Sequence, residues 1–327
     1  MRKRICLMVL ILLLACSLAL PASALESELV PVGRTVNLEL ALDGVYVVKF
    51  DAGEHAAPAR DAGIKLGDRI VSVNGAPVSR SEELRSSVSG CCGEDLILRV
   101  RRGEKEMSFT VRPVYDSGGW RIGIFVRDHI SGLGTVTYYN PETGCFAALG
   151  HGISGCCSDA GFGSGLVRPA QIECVRKGCR GRPGELQGAP SRQTPIGMIE
   201  VCTERGVFGR ADGGFEATSV PVADRGEITT GQAELLCNVS GTDVSRYRIE
   251  IEGISFGQDE GKNLRLHITD PALLEQTGGI VQGMSGSPIL QNGKLVGAVT
   301  HVLVSDPTRG YGILIENMLE DDLALAG

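Results

Sequence analysis

Residues 278–302 read GGIVQGMSGSPILQNGKLVGAVTHV, and the reading of the whole chain turns on them. Gly283-Met284-Ser285-Gly286-Ser287-Pro288 sets a serine on a glycine-flanked turn. Such a turn exposes the hydroxyl and lets neighbouring N–H groups converge, which is what a developing oxyanion needs. Ser285 is the candidate nucleophile. The N–H groups of Gly283 and Ser285 are the candidate oxyanion hole. ILQNGKLVGAVTH (289–301) follows at once as a hairpin around Asn292-Gly293, which sets a strand to flank a bound peptide. Ser287 shares the turn and is the rival nucleophile. Glycine–serine turns are common, so chemistry requires a base elsewhere.

His151 is the best base among the five histidines. It ends the apolar run CFAALGHGI (145–153) with glycine on either side, so little local packing claims its ring. An imidazole titrates near neutrality, which suits proton abstraction from serine. His301, closing the strand after the serine, is the weaker candidate. A carboxylate should orient the base. Asp270, Asp159 and Asp306 are all available, and spacing does not choose among them.

Around these motifs run short apolar or alternating stretches: RIGIFVR (121–127), GTVTYY (134–139), IGMIEV (196–201), YRIEI (247–251), LRLHI (264–268) and YGILI (311–315). Glycine, Asn or Asp separates most of them. With 45 glycines, 14 prolines and one Trp, the composition fits a β-rich fold of tight turns rather than a helix bundle. The stretch between Cys156 and Thr194 carries four cysteines and several basic residues, and reads as a partner-binding or regulatory insert.

The N-terminal third has a different rhythm. TVNLELAL (35–42) and GVYVVKF (44–50) are strand-like runs joined around Asp43-Gly44. A short helical piece, a strand over RIVSV (69–73) and a turn at Asn74-Gly75 follow. Residues 79–89 read as a helix with Ser81 as N-cap, and residues 94–113 as a hairpin around Arg102-Gly103. AGIKLGDRI (62–70) followed by Val73-Asn74-Gly75 resembles a PDZ domain. That resemblance implies a groove in which a peptide pairs as an added strand, with Gly44, Val45 and Tyr46 in the peptide-binding loop. The loop departs from the usual Gly-Leu-Gly-Phe form.

The first 24 residues carry Arg2, Lys3 and Arg4, then an uncharged apolar run, then Ala22-Ser23-Ala24. This is the pattern of an export signal or N-terminal anchor over residues 1–24. Export permits disulfides without requiring them. The cysteine count of 11 includes no CxxC spacing, so zinc and redox motifs are not indicated. A net charge of −7, without a basic, aromatic-laced stretch, argues against a nucleic-acid partner. No metal or organic cofactor is expected.

Taken together, the PDZ-like region, ALGHGIS and the run from ITDPALLEQTGG through GMSGSP to YGILIENML resemble the stage IV sporulation protein B peptidase family. The resemblance implies a mostly β chain, with a PDZ domain at 30–115 and a chymotrypsin-like double β-barrel peptidase domain at 118–322. It implies His151 as general base, Asp270 as orienting acid and Ser285 as nucleophile. It implies limited cleavage of the protein itself and of a membrane-associated regulatory partner, between mother cell and forespore, leading to activation of a late sigma factor. The family often has an aspartate-rich segment after the histidine, where this chain has Ser154-Gly155-Cys156-Cys157. The alternatives are a catalytically inactive PDZ scaffold and a general extracytoplasmic quality-control protease, whose PDZ usually follows the protease core.

Overall fold

The computed structural model describes residues 28–52, 57–116, 118–153, 162–190, 194–213, 215, 217–257 and 261–326. The export segment at 1–24, His55, Cys156, Cys157 and Asp159 lie outside the described residues.

The chain is mostly strand. β1 (Glu28–Pro31) leads to β2 (Thr35–Phe50), then helix α1 (Pro58–Asp61), β3 (Arg69–Val73), β4 (Ala76–Pro77) and helix α2 (Ser81–Ser89). β5 (Leu96–Arg102) and β6 (Lys105–Val111) form the hairpin expected around Arg102-Gly103. β7 (Val114–Asp116), β8 (Gly119–Arg121), β9 (Ile124–Tyr139) and β10 (Cys145–Ala148) follow. Next come β11 (Phe162–Arg176), β12 (Gly184–Pro190), β13 (Gly197–Thr203), β14 (Gly206–Ala211) and β15 (Val220–Pro221). The last third holds β16 (Gly231–Cys237), β17 (Ser245–Ile254), β18 (Leu264–Ile268), α3 (Pro271–Thr277), β19 (Val281–Gln282), β20 (Pro288–Gln291), β21 (Lys294–Val302), β22 (Arg309–Leu314) and α4 (Ile315–Ala326).

Six of these strands close a barrel in the order β16-β17-β18-β22-β21-β20. Its interior is what the alternating stretches supply: Leu235, Ile249, Ile251, Leu264, Leu266, Ile268, Ile289 and Val299 are all at most 1% exposed. Truncating one of them, such as Ile249→Ala, costs about 2–5 kcal/mol. The double barrel expected from the resemblance is not found as two separate barrels. Apart from β8, which pairs with β7 in a two-stranded sheet, the other peptidase strands belong to a 14-stranded sheet that continues into the PDZ-like region. Within it, β2 pairs with both β9 and β11, so the sheet curls back on itself through β9, β10, β14, β13 and β11.

β2 is the strand that joins the two regions. Asp43-Gly44 makes a bulge rather than a hairpin turn: Ala41 faces His129, and the next β9 partner, Arg127, faces Tyr46. The first half of β2 therefore packs in the peptidase body, where Val36, Leu38 and Leu40 meet Val136, Phe146 and Val167. The second half packs in the PDZ-like core, where Val45 and Val47 meet Ile70, Leu84, Val88 and Leu98. The chain from residue 28 to 42 thus serves the peptidase side, within the span read from sequence as PDZ.

Two smaller expectations shift. The N-cap of α2 is Arg80, one residue before Ser81, and Glu83 reaches back to accept from the Ser79 and Arg80 N–H groups. The insert after Cys156 is not an irregular loop where it is described, since β11 and β12 pair as a long antiparallel hairpin. Cys202 is disulfide-bonded, whereas Cys91, Cys92, Cys145, Cys174, Cys179 and Cys237 are free. Burial pushes the Cys237 thiol up to about 12, so it stays protonated and inert.

Candidate active site

The nucleophile turn spans residues 283–287, between β19 and β20. Gly283 and Gly286 both have positive φ, +98° and +94°. A Cβ at Gly286 would lie 2.0 Å from the Thr135 carbonyl oxygen, so only glycine fits there. The turn is fixed from three sides. Met284 is fully buried in the barrel core, and its N–H donates to Val281. The Gly286 N–H donates to the Val299 carbonyl at 2.7 Å. From β9, the Thr135 N–H donates to the Ser285 carbonyl at 2.9 Å, and the Thr135 hydroxyl donates to the Gly283 carbonyl at 2.8 Å.

This leaves Ser285 facing a pocket of about 410 Å³ that also takes in Gly283, His151 and His301. Its other walls include Leu38, Leu40, Ile130, Leu133 and Leu149, which are apolar. The Ser285 hydroxyl donates to the Thr300 carbonyl at 2.9 Å. Ser287 sits in the same turn but is fully buried, with no partner for its hydroxyl. It has no route to a substrate.

His151 is presented by the left-handed pair Leu149 (φ 75°) and Gly150 (φ 71°) just after β10. The Leu149 N–H donates to the Thr135 carbonyl at 3.2 Å, so the residue that holds the serine turn also anchors the histidine loop. His151 Nδ1 lies 2.8 Å from the Gly152 carbonyl oxygen. A carbonyl can only accept, so Nδ1 carries the hydrogen and Nε2 keeps the lone pair. Burial lowers the His151 pKa below the ordinary imidazole value, and the Gly152 bond opposes this in part. The neutral base is thereby the form present near pH 7. The His301 ring lies 5.1 Å from that of His151, tilted by 41°. Its pKa is lowered by desolvation first, then by His151 and Lys262.

Asp270 does not join this group. It is the N-cap of α3, where Oδ1 accepts from the N–H groups of Ala272 (3.0 Å) and Leu273 (3.4 Å). Oδ2 accepts from the Arg248 N–H at 3.2 Å. Desolvation works to raise its pKa, and these backbone donors outweigh it and hold the carboxyl below its usual value. Asp270 supports the site from behind, because α3 ends at Gly278 and the chain runs directly into β19 and the serine turn. Asp-Pro ahead of an apolar run is itself a helix-start signal. Asp306 does not line the pocket either, and its carboxylate is taken up by Thr308 and Arg309. The group the structure sets against His151 Nδ1 is the Gly152 carbonyl, for which side-chain identity carries no signal.

In the PDZ-like region, Gly44, Val45 and Tyr46 are already engaged. Val45 is fully buried and pairs with Ile70, while Tyr46 pairs with Arg69 on one side and Arg127 on the other. Arg69 forms an ion pair with Asp43 and contacts its carbonyl, and a Cβ at Gly44 would collide with the Arg69 side chain. Among the described residues, no group of three or more His, Cys, Asp or Glu could hold a metal ion. No helix among them is long and apolar enough to cross a membrane.

A PDZ-like unit joined to a β-barrel body with a serine and a histidine in one pocket defines the class of PDZ-bearing serine peptidases. The SpoIVB peptidase S55 family matches residues 118–319, and the PDZ domain family matches residues 32–112. The chain belongs to the SpoIVB peptidase family. Among curated proteins it is similar to LL2128 of Lactococcus lactis, named as a zinc metalloprotease, at 35% identity over 103 residues, which is 30% of this chain and 24% of that protein. It is similar to mouse serine protease HTRA3 at 37% identity over 70 residues, 21% of this chain and 14% of that protein. The chain therefore spans less than a quarter of the length of either relative. The PDZ domain of the SdrC-like protein from Listeria monocytogenes matches 26% of this chain and 90% of its own, at 26% identity and a TM-score of 0.23.

Proposed function

We propose that this protein is a serine endopeptidase that makes limited, signalling cuts during endospore formation, in itself and in a membrane-associated regulatory partner. The observation that carries the chemistry is the common pocket of Ser285 and His151, with the His151 lone pair left on Nε2 by the Gly152 carbonyl. In the first step the Ser285 hydroxyl turns from the Thr300 carbonyl to His151, which takes its proton. The oxygen attacks the peptide carbonyl, and an acyl-enzyme forms as the leaving amine takes that proton back. Water, activated by the same imidazole, then releases the acid.

The N–H groups of Gly283 and Ser285 are the pair assigned to the oxyanion, because those of Met284, Gly286 and Ser287 are spent on Val281, Val299 and Met284. Family membership supports the signalling role, and the export pattern at 1–24 supports action outside the cytoplasm, in the space between mother cell and forespore membranes. We read the curled part of the large sheet as the counterpart of a second barrel, with the pocket between it and the closed barrel. We place the domain change near residue 118. The test is intact mass over time for the full chain beside its Ser285→Ala variant. Fragments from the unmodified chain alone support the reading; the same fragments from both remove Ser285 from the mechanism.

A further inference from the structure

The pocket that holds Ser285 and His151 has walls that the proposed chemistry does not use. β2 and β9 run antiparallel beside it, and both members of two of their pairs line it: Leu40 opposite Ile130, and Leu38 opposite Gly132. Directly opposed residues of a sheet point to the same face, and so do residues two apart along a strand. These residues therefore make one apolar patch, and Gly132 leaves a recess in it. A Cβ at Gly132 would meet nothing within 4 Å, so the recess is open and no close backbone approach demands the glycine.

Leu149 closes the patch on the histidine side. It stands two residues before His151 with φ 75°, a backbone that strains leucine and that glycine adopts freely. A Cβ at Gly134 would lie 2.3 Å from Leu149 Cδ2 and 3.1 Å from Leu38 Cδ1, so glycine there lets these two side chains converge. Among the described residues that line the pocket there is no Asp, Glu, Lys or Arg. An apolar cavity of about 150 Å³ already takes a benzene ring, so about 410 Å³ has room for one large side chain with the backbone beside it.

We propose that this recess is the specificity subsite of the peptidase. It selects polypeptides by one large apolar side chain, of leucine or phenylalanine size, on a residue flanking the cleaved bond, and it rejects charged residues there. An apolar side chain gains by leaving water in the recess, whereas a carboxylate or ammonium would lose its hydration and find no partner. Gly132 and Ile130 set the size of the side chain that fits. The effect on cleavage rests on Ser285 and His151 as the catalytic pair; binding at the recess does not.

The test reads cleavage and binding separately. A peptide library is offered to the full chain and the cuts are located by mass spectrometry, with the Ser285→Ala chain as control. Leu, Met or Phe should stand on one side of the Ser285-dependent cuts, with Asp, Glu, Lys and Arg depleted there by about 100-fold. Gly132→Val narrows the recess and should lower the ratio of kcat/KM for a Leu peptide over its Ala counterpart about tenfold. Ile130→Ala widens it and should raise the ratio for Phe over Leu. The same Leu, Ala and Asp peptides, made fluorescent, should bind the Ser285→Ala chain in that order of affinity. Ser285-dependent cuts without preference at either flanking residue, or a preference that neither variant moves, would overturn the proposal and leave the catalytic reading standing. Binding in the expected order with no cleavage would support the recess and remove the catalytic reading instead. Neither cleavage nor binding of any peptide would overturn both.

Discussion

β9 has two ends that share a partner strand and little else. From Ile124 to Asp128 its residues alternate between half-buried and exposed, whereas Gly134 to Tyr138 are all buried. The first end has one face on a small core and one toward solvent, so it reads as alternation. The second is covered on both faces and reads as a continuous run. At the first end a side chain on β9 holds a helix terminus, and at the second it holds the serine turn. A partner strand in common thus gives a loosely held end and a tightly held one, because the second end is also paired with β10 on its other edge and covered on both faces.

The largest expected effect lies at the tight end. Ser285→Ala and His151→Ala should each lower peptide cleavage by on the order of 10⁴- to 10⁶-fold, and the double variant should fall no further, because the two groups act as a unit. Additive losses in single-turnover kinetics would mean that they do not. The pH profile is next. In the proposed mechanism His151 acts as the neutral base, and burial lowers its pKa, so activity should persist below the ordinary imidazole value and then fall about tenfold per pH unit. An inflection at or above that value would contradict the buried placement.

Thr135→Val and Asp128→Ala set the two ends of β9 against each other directly. The first leaves the buried Gly283 carbonyl without its donor and should cost about 1–3 kcal/mol in urea unfolding, with a drop in kcat. The second removes a partly exposed acceptor at the head of α2, where the Ser81 groups can turn to water, and should cost about 1 kcal/mol. The reverse order would break the comparison. The smallest effect is expected at Asp270. Asp270→Ala should cost about 1 kcal/mol as a lost cap, while Asp270→Asn, itself a good cap, should leave both stability and turnover within a few-fold of the parent. A loss of several orders of magnitude in kcat for Asp270→Asn would restore it to the catalytic group.

Much of this was legible because the features are local. The glycines around Ser285, the glycines around His151 and the AGIKLGDRI run each announce their own backbone, and the structure brings the first two into one pocket. The separation of Ser285 from Ser287 was not legible, since burial on one side of a turn depends on which strand passes behind it. The capping role of Asp270 was legible in the Pro271 beside it, which marks a helix start, whereas its assignment as orienting acid came from the family resemblance and not from spacing. RIGIFVR was assigned to the peptidase body because nothing in its sequence says that it doubles back to pair with the second half of β2 and pack on the PDZ-like core. That pairing joins residues 74 to 81 positions apart, beyond the reach of any local pattern.

The sharing of β2 also has a consequence for how the chain is made. Its first half finds partners in residues 129–135 and 162–169, and its second half pairs with β3 on one edge and with the start of β9 on the other. A chain emerging from its N-terminus cannot complete the PDZ-like sheet until more than a third of its length has followed. Contacts so distant in sequence are slow to form, since the intervening loop must close before any pairing rewards it. Until then the first half of β2 is an apolar edge without a neighbour, the kind of edge that sticks to other chains. Folding of the two regions should therefore appear as one late, concerted phase rather than two successive ones.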